Sequence, residues 1–240
     1  SFSRPTSSCP RSASTSSTNC PESGTDRRQV MWIDTHCHTK YSYDNWLEPL
    51  DLIRRAKVLG LDGVCITEHY SYEASEPVEQ IGREEGMLVL RGVEIATDRG
   101  HLLAYGVTDD GWNVWNRDSY LPLEDVIDRI NSLGGICAPA HPFRNVGLAS
   151  LLDGLLDLEG IAAVESHNGV NAESDNDLAM RASAHLGLPT LGGSDCHKTV
   201  AVGRCATEFS QPVHDMASFI AAVRAGACRG AYYAPYGNRS

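Results

Sequence analysis

The sequence lacks any apolar run that approaches the length of about 20 residues a helix needs to cross a bilayer. Its first residues also lack the charged and then apolar pattern of a secretory signal. These two absences give no support to a membrane as a partner. We therefore expect the protein to work in the cytoplasm.

Paired cysteine motifs are missing as well. The 240 residues include eight cysteines, but these are dispersed and form no Cys-x-x-Cys pair, which argues against a zinc ribbon or a redox motif. Cys65 and Cys137 lie among valine, isoleucine and alanine, where a cysteine usually acts as a small buried hydrophobic residue. Free thiols of this kind fit a reducing cytosol.

Basic residues are scarce relative to acids. Twenty Lys and Arg against 31 Asp and Glu give a net charge of −11, which has the wrong sign for binding an extended nucleic-acid backbone. A small anionic substrate is compatible with this charge, because a local metal cluster can reverse the field of the surface. No Gly-x-Gly-x-x-Gly or Walker motif follows a predicted strand, so we expect no nucleotide cofactor.

Residues 1–30 differ in composition from the rest of the chain. Thirteen of these 30 residues are Ser or Thr, and apolar periodicity is nearly absent, so we predict a disordered tail. An Arg- and Ser-rich targeting segment is the alternative. We favour the hypothesis that Met31 is the natural start and that the tail is not native. The folded domain would then span residues 31–240, and mass spectrometry of the native N-terminus would test this.

From Met31 onward, short apolar runs alternate with segments of helical periodicity. Strands are predicted at residues 31–34, 63–67, 88–95, 101–107, 135–140, 162–165, 189–193 and 204–209. Helices are predicted after Pro49, with Leu50, Ile53 and Ala56 on one face, and at 123–133, 148–158, 172–186 and 215–225. Repeated strand–helix units predict an α/β fold with a parallel sheet, either a closed barrel or an open doubly wound sheet.

The end of the first predicted strand carries two histidines. Strand alternation places Asp34, His36 and His38 on one side, while Thr35 and Cys37 point away. Two imidazoles separated by one residue on a strand can bind the same cation. The sequence Ser194-Asp195-Cys196-His197 repeats this arrangement after the apolar strand at 189–193. These two segments predict a metal site at the carboxyl ends of the strands.

Further candidate ligands follow other strands. His69 ends the second strand beside Glu68, and Glu94 interrupts an apolar strand, where an unpartnered carboxylate would be costly to bury. His101 opens the next apolar run and His141 ends another. Taken singly, each of these last two histidines fits a metal ligand and a buried structural histidine equally well.

Together these motifs resemble the PHP (polymerase and histidinol phosphatase) family of metal-dependent phosphoesterases. The motifs are Asp-x-His-x-His at 34–38, Thr-x-His at 67–69, Glu94, His-Pro at 141–142 and Gly-Ser-Asp-x-His at 193–197. The resemblance implies a distorted (β/α)7 TIM-like barrel with a small C-terminal extension over about residues 200–240. It also implies two or three divalent cations, with manganese, zinc and iron all suited to such ligands.

The resemblance implies three ligand sets. One cation would take His36, His38, Glu94 and Asp195; a second would share Glu94 and add His101 and His141; a third would take His69, His197 and an acid after the first motif. Family members often have Ser-Asp-Gly at that last place, whereas this chain has Ser42-Tyr43-Asp44-Asn45, and we assign the role to Asp44. Glu68 also stands where the family usually has Asp. Asp34 would orient a ligand histidine from behind.

A metal-bridging hydroxide is the expected nucleophile, with Asp195, His197 and His167 as the catalytic residues. His167 lies two residues after Glu165, so alternation would bring it to the same edge as a general acid or a substrate contact. Arg144 is either a phosphate ligand or a solvated loop residue, and Lys198 and Arg204 are weaker phosphate candidates.

The sequence leaves two alternative functions open. Metal-bound hydroxide also hydrolyses amides and lactones, so the scissile bond need not be a phosphate ester. A non-catalytic or proofreading module of a replicative polymerase is the other alternative, but the chain has no polymerase-like extension and its acidic charge is unsuited to DNA.

Overall fold

The computed structural model describes residues 30–108, 110–112, 120–145 and 150–233. Within these ranges the chain forms nine strands: β1 (Met31–Cys37), β2 (Gly63–Ile66), β3 (Leu88–Thr97), β4 (Gly100–Tyr105), β5 (Ile136–Pro139), β6 (Val164–Asn168), β7 (Thr190–Gly193), β8 (Cys205–Phe209) and β9 (Cys228–Tyr232). The α-helices are α1 (Pro49–Leu59), α2 (Glu76–Glu85), α3 (Leu123–Ser132), α4 (Glu173–Leu186) and α5 (Met216–Arg224). The predicted tail at 1–30 lies almost entirely outside the described residues.

Seven strands form one sheet in the order β5-β4-β3-β2-β1-β8-β9, and β6 pairs with β7 in a second sheet. The pairs β1–β2, β2–β3 and β6–β7 are parallel, but β3–β4, β4–β5, β1–β8 and β8–β9 are antiparallel. The prediction of a parallel sheet is therefore confirmed for three of these strand pairs and wrong for the other four. Only Asp98 and Arg99 connect β3 to β4, and a parallel connection needs about a dozen residues or more.

The second sheet connects β1 on one side to β5 on the other side. The backbone N–H of Asp195, just after β7, donates to the carbonyl of His36 in β1 at 2.8 Å. On the other side, the N–H of Ala162, just before β6, donates to the carbonyl of Cys137 in β5 at 2.9 Å. These bonds curl the strands into a half-barrel with a mixed α/β architecture.

Helices cover the outside of the curled sheet. In α1, Ile53 and Ala56 are fully buried against β2 as the periodicity predicts, whereas Leu50 is only half-buried and Leu52 is fully buried instead. Gly60 ends the helix with a φ of 80° that glycine adopts without strain. The predictions of α3, α4 and α5 are likewise confirmed within one or two residues. Among the described residues, six cysteines are free thiols and five of them are buried.

One α-helix and one strand are present that the sequence did not predict, and one predicted α-helix is replaced by a 3-10 helix. Helix α2 buries only Val78 and Gly82, and Val78 and Ile81 are its only large apolar residues, so its helical pattern is too short to stand out among charged residues. Strand β9 is an edge strand with only Gly230 buried. In place of the helix predicted at 148–158 there is a 3-10 helix, Leu152–Asp157; residues 148 and 149 lie outside the described ranges.

No helix among the described residues combines the length and the apolar character that crossing a membrane requires.

Candidate metal centre

Seven polar side chains meet at one edge of the curled sheet. His36 and His38 come from the end of β1, His69 follows β2, and Asp195 follows β7. Because β4 runs antiparallel to β3, its first residues lie at this same edge, which is how His101 reaches Glu94 of β3. His141, two residues after β5, completes the set.

The first group surrounds the Nε2 atoms of His36 and His38, which are 3.0 Å apart. Oδ1 of Asp195 lies 3.6 Å from each of these nitrogens. Oε2 of Glu94 lies 3.3 Å from the nitrogen of His36 and 3.0 Å from that of His38. Both histidine side chains are fully buried and both carboxylates nearly so, and two ring nitrogens and two carboxylates face one another.

The second group shares Glu94 through its other oxygen. Oε1 accepts from, or faces, Nδ1 of His101 at 2.8 Å and Nε2 of His141 at 3.0 Å. The other ring nitrogen of His141, Nδ1, is buried without a hydrogen-bond partner in the described residues. His141 also has a φ of 32°, in the left-handed region that few non-glycine residues adopt. His101 and His141 thus present one ring nitrogen each to the same carboxylate oxygen, an arrangement that could hold a cation.

The third group centres on Asp44. Its Oδ2 atom lies 3.4 Å from Nε2 of His69 and 3.2 Å from Nε2 of His197. Nδ1 of His69 lies 3.3 Å from Oε2 of Glu94, so this group adjoins the first two. Unlike those, it is open to solvent, since about a third of the Asp44 and His197 side chains is exposed.

These donors fit divalent cations. His36, His38 and Asp195, then His38, His69 and Glu94, and then Glu94, His101 and His141 each offer ligand atoms within 4.8 Å of one another. Two nitrogens bound to one zinc ion at about 2.0–2.1 Å are roughly 3 Å apart, as the rings of His36 and His38 are. The set of imidazoles and carboxylates suits zinc, manganese and iron.

The pKa values of these side chains shift in different directions. Burial, reinforced by nearby His69, lowers the pKa of His38 to about 4, so its ring is neutral and can donate a lone pair at neutral pH. Burial alone would raise the pKa of Asp195, but His36, His141 and Arg144 hold it well below its ordinary value. A hydrogen bond with Asp44 raises the pKa of His197 to about 9.

Asp34 occupies a different place from the one predicted. Its carboxylate accepts from the backbone N–H of Ser194 at 2.7 Å and of Gly203 at 3.0 Å, and from the N–H of His36 at 3.4 Å. Asp34 therefore holds backbone segments together rather than orienting a histidine ring. The ring of His36 is instead met by Glu165, a residue that the sequence analysis passed over, at 2.8 Å from Nδ1.

His167 is not brought to the cluster. The register of β6 against β7 shifts between Glu165 and His167, so the simple alternation on which the prediction relied is broken. His167 packs edge-on against the ring of Tyr232 in β9, while Asn168 reaches Oδ2 of Asp195 at 3.3 Å. The structure thus places Asn168 where the sequence predicted His167.

The three basic side chains of the predicted phosphate site differ in their surroundings. Nη1 of Arg144 donates to Oδ2 of Asp195 at 2.8 Å, which brings the guanidinium to the border of the first group. Arg204 is exposed, and its Nη1 donates to the carbonyl of Gly169 at 3.4 Å. Lys198 is exposed directly after His197.

Comparison with known families and proteins agrees with this geometry. The model of the PHP domain matches residues 34–116, and the model of the PHP-associated region matches residues 173–228. The matched residues include most of the candidate ligands, among them those at the ends of β1 and β7.

Three known proteins illustrate the similarity. An uncharacterized protein of Methanocaldococcus jannaschii is 28% identical over 161 residues, which are 62% of this chain and 90% of the relative. A "probable histidinol-phosphatase" of Thermotoga maritima is 39% identical over 72 residues, 28% of this chain and 31% of that protein. A crystal structure of a candidate metal-dependent phosphoesterase from Bifidobacterium adolescentis superposes with a TM-score of 0.56 at 20% identity, over 70% of this chain and 88% of that one.

Proposed function

Because the chain belongs to the PHP family, we propose that it is a metal-dependent phosphoesterase acting on a small phosphorylated substrate, either a phosphomonoester or a nucleotide-type phosphate. The observation that carries the proposal is the meeting of His36, His38 and Asp195 around Glu94, a buried donor set with the spacing of cation ligands. The acidic surface does not oppose an anionic substrate, since the cations supply local positive charge.

The residues at the edge of the sheet would hold two or three divalent cations of manganese, zinc or iron. Glu94 is suited to serve two of them, because its two oxygens face different histidines. Asp44, His69 and His197 would hold the solvent-exposed one. Bound divalent cations lower the pKa of a coordinated water and stabilise the charge that develops on phosphate oxygens.

Charged side chains around the cluster suit a phosphate. Arg144 already makes one charged hydrogen bond to Asp195, and its remaining N–H groups are available to orient phosphate oxygens beside the first group. Lys198 is exposed directly after His197 of the open third group, Arg204 is exposed as well, and both would attract the anion. His197 would hold the cation of the third group through its neutral ring, because ligation of a metal requires the deprotonated imidazole.

The same proposal extends to the fold. Strands β1 to β7 would form the distorted (β/α)7 barrel of the family, closed by the backbone bonds of His36 with Asp195 and of Cys137 with Ala162. Strands β8 and β9 and helix α5 would be the small C-terminal extension, since they add to the outer edge of β1.

A substrate panel tests the proposed reaction. Metal-stripped protein is reloaded separately with Mn²⁺, Zn²⁺ and Fe²⁺ and assayed on phosphomonoesters, cyclic phosphates and nucleotides beside amides and lactones. We expect hydrolysis of at least one phosphate ester with at least one cation and none by the stripped protein. Hydrolysis confined to amides or lactones, or no hydrolysis with any cation, would overturn the proposal.

A further inference from the structure

Glu165 in β6 is a fully buried carboxylate behind the candidate metal centre. Three N–H donors converge on it. Nδ1 of His36 lies 2.8 Å from Oε1, while the backbone N–H of His141 and the Nδ2 of Asn168 donate to Oε2 at 2.6 and 3.1 Å. Burying a carboxylate is unfavourable unless it is paired and hydrogen-bonded, so each of these contacts matters.

The first contact determines which nitrogen of His36 carries its proton. Oε2 of Glu165 already accepts from two N–H groups, and Nδ1 of the ring, at 2.8 Å, is placed to donate to Oε1. The lone pair then resides on Nε2, which faces His38, Glu94 and Asp195. With the opposite tautomer, an N–H would occupy the place of the cation.

The second oxygen of Glu165 acts on the neighbouring group. The N–H of His141 belongs to a residue held at a φ of 32°, and its bond to Oε2 stabilises this strained turn. The turn directs Nε2 of His141 to Oε1 of Glu94. Asn168 bridges the same oxygen of Glu165 to Oδ2 of Asp195, which leaves Oδ1 toward the histidines.

We propose that Glu165 is a positioning residue that fixes the tautomer of His36 and the backbone of His141, so that two cation groups depend on one buried carboxylate. The statement about cations rests on the proposed function, whereas the statement about the tautomer does not. Ligand histidines commonly have their second nitrogen fixed in this way, and loss of such a partner typically lowers metal affinity about 10–100-fold.

Glutamine at this position distinguishes a positioning role from a space-filling one. Glu165→Gln preserves volume and can accept on one side only. The backbone N–H of His141 cannot change its role, so the amide oxygen must face it, and the amide N–H₂ then donates to Nδ1 of His36. The ring can comply only by moving its proton to Nε2.

The tautomer is measured directly by ¹⁵N NMR of histidine-labelled, metal-free protein at a pH where the ring carries a single proton. We expect an Nδ1–H ring for His36 in the wild type and an Nε2–H ring in Glu165→Gln. An Nε2–H ring in the wild type, or the same tautomer in both proteins, would refute the assignment. The wild-type spectrum decides the first point even if the variant does not fold.

Calorimetric titration with Zn²⁺ and Mn²⁺ tests the consequence for cation binding. Glu173→Gln, an exposed acid at the start of α4 that makes the same change of charge, is the matched control. We expect affinity to fall about 10–100-fold in Glu165→Gln and to stay unchanged in the control. Equal affinity in all three proteins would overturn the positioning role. Failure of the phosphate-ester assay alone would remove the proposed substrate and leave this result standing.

Discussion

Asp195 connects three parts of the site through one short side chain. Its Oδ1 faces the ring nitrogens of His36 and His38, and its Oδ2 accepts from Arg144 and Asn168. Its φ of 50° lies in the left-handed region, which aspartate tolerates better than most residues other than glycine and asparagine. The backbone conformation and the charge at this position therefore both favour aspartate.

Asp195→Asn should abolish function without disturbing the fold. The amide keeps the shape of the side chain but removes the negative charge that faces the rings of His36 and His38. Cation binding therefore weakens. We expect turnover to fall by more than about 100-fold, beyond the range usual for residues that only support a ligand. Elemental analysis should show less bound metal, while circular dichroism should match the wild type. Full activity in this variant would rule out the assigned site.

Among the elements, β7 shows why the two histidine-bearing strand ends can meet. A Cβ atom at Gly193 would lie 2.2 Å from Cβ of His36 and 2.6 Å from its backbone nitrogen. Glycine at this point is what allows β7 to approach β1 closely. The approach places Asp195 two residues later against His36.

Gly193→Ala should separate β1 from β7 and weaken both stability and cation binding. Overpacking of this kind costs about 1–3 kcal/mol of the free energy of unfolding. Gly154→Ala is the matched control, because nothing lies within 4 Å of its added Cβ. Urea unfolding and zinc titration of both variants would measure the difference. Equal behaviour of the two variants would contradict the close-approach argument.

For the whole molecule, the main question is how buried acids and histidines coexist with a net charge of −11. Glu94 and Asp195 lie at most 4% exposed at the edge of the sheet, where cations would balance their charge. The folded state should bind these cations far better than the unfolded chain, because only the fold brings the strand ends together. Metal binding and folding are therefore coupled.

Metal removal should lower the melting temperature. A cation at about 100 times its dissociation constant stabilises the folded state by about 2.7 kcal/mol. For a domain of about 200 residues this corresponds to roughly 5–10 °C in Tm. Thermal unfolding with a chelator, and with saturating Mn²⁺ or Zn²⁺, would measure the shift. An unchanged Tm under all conditions would contradict coupling between cations and fold.

Local patterns in the sequence were enough to identify the candidate ligands and most elements. Alternation along a strand depends only on backbone geometry, and it correctly brought His36 and His38 together at one edge. It failed for Asp34, because the register of β1 against β2 shifts between Asp34 and Cys37 and the Asp34 carboxylate bonds to Ser194 and Gly203. Glycine after a helix is similarly local, and Gly60 ends α1 as predicted. The family motifs then related distant ligands to one another.

Tertiary structure alone decided the features that depend on pairing between strands. The bulge in β6 turns Asn168 toward Asp195 and His167 away, and one extra residue in a strand reverses the faces of all that follow without a clear mark in the sequence. The role of Glu165 was hidden for a similar reason. Its partners His36 and His141 are distant in sequence and become neighbours only when the sheet curls, so no local pattern could show that one carboxylate serves both.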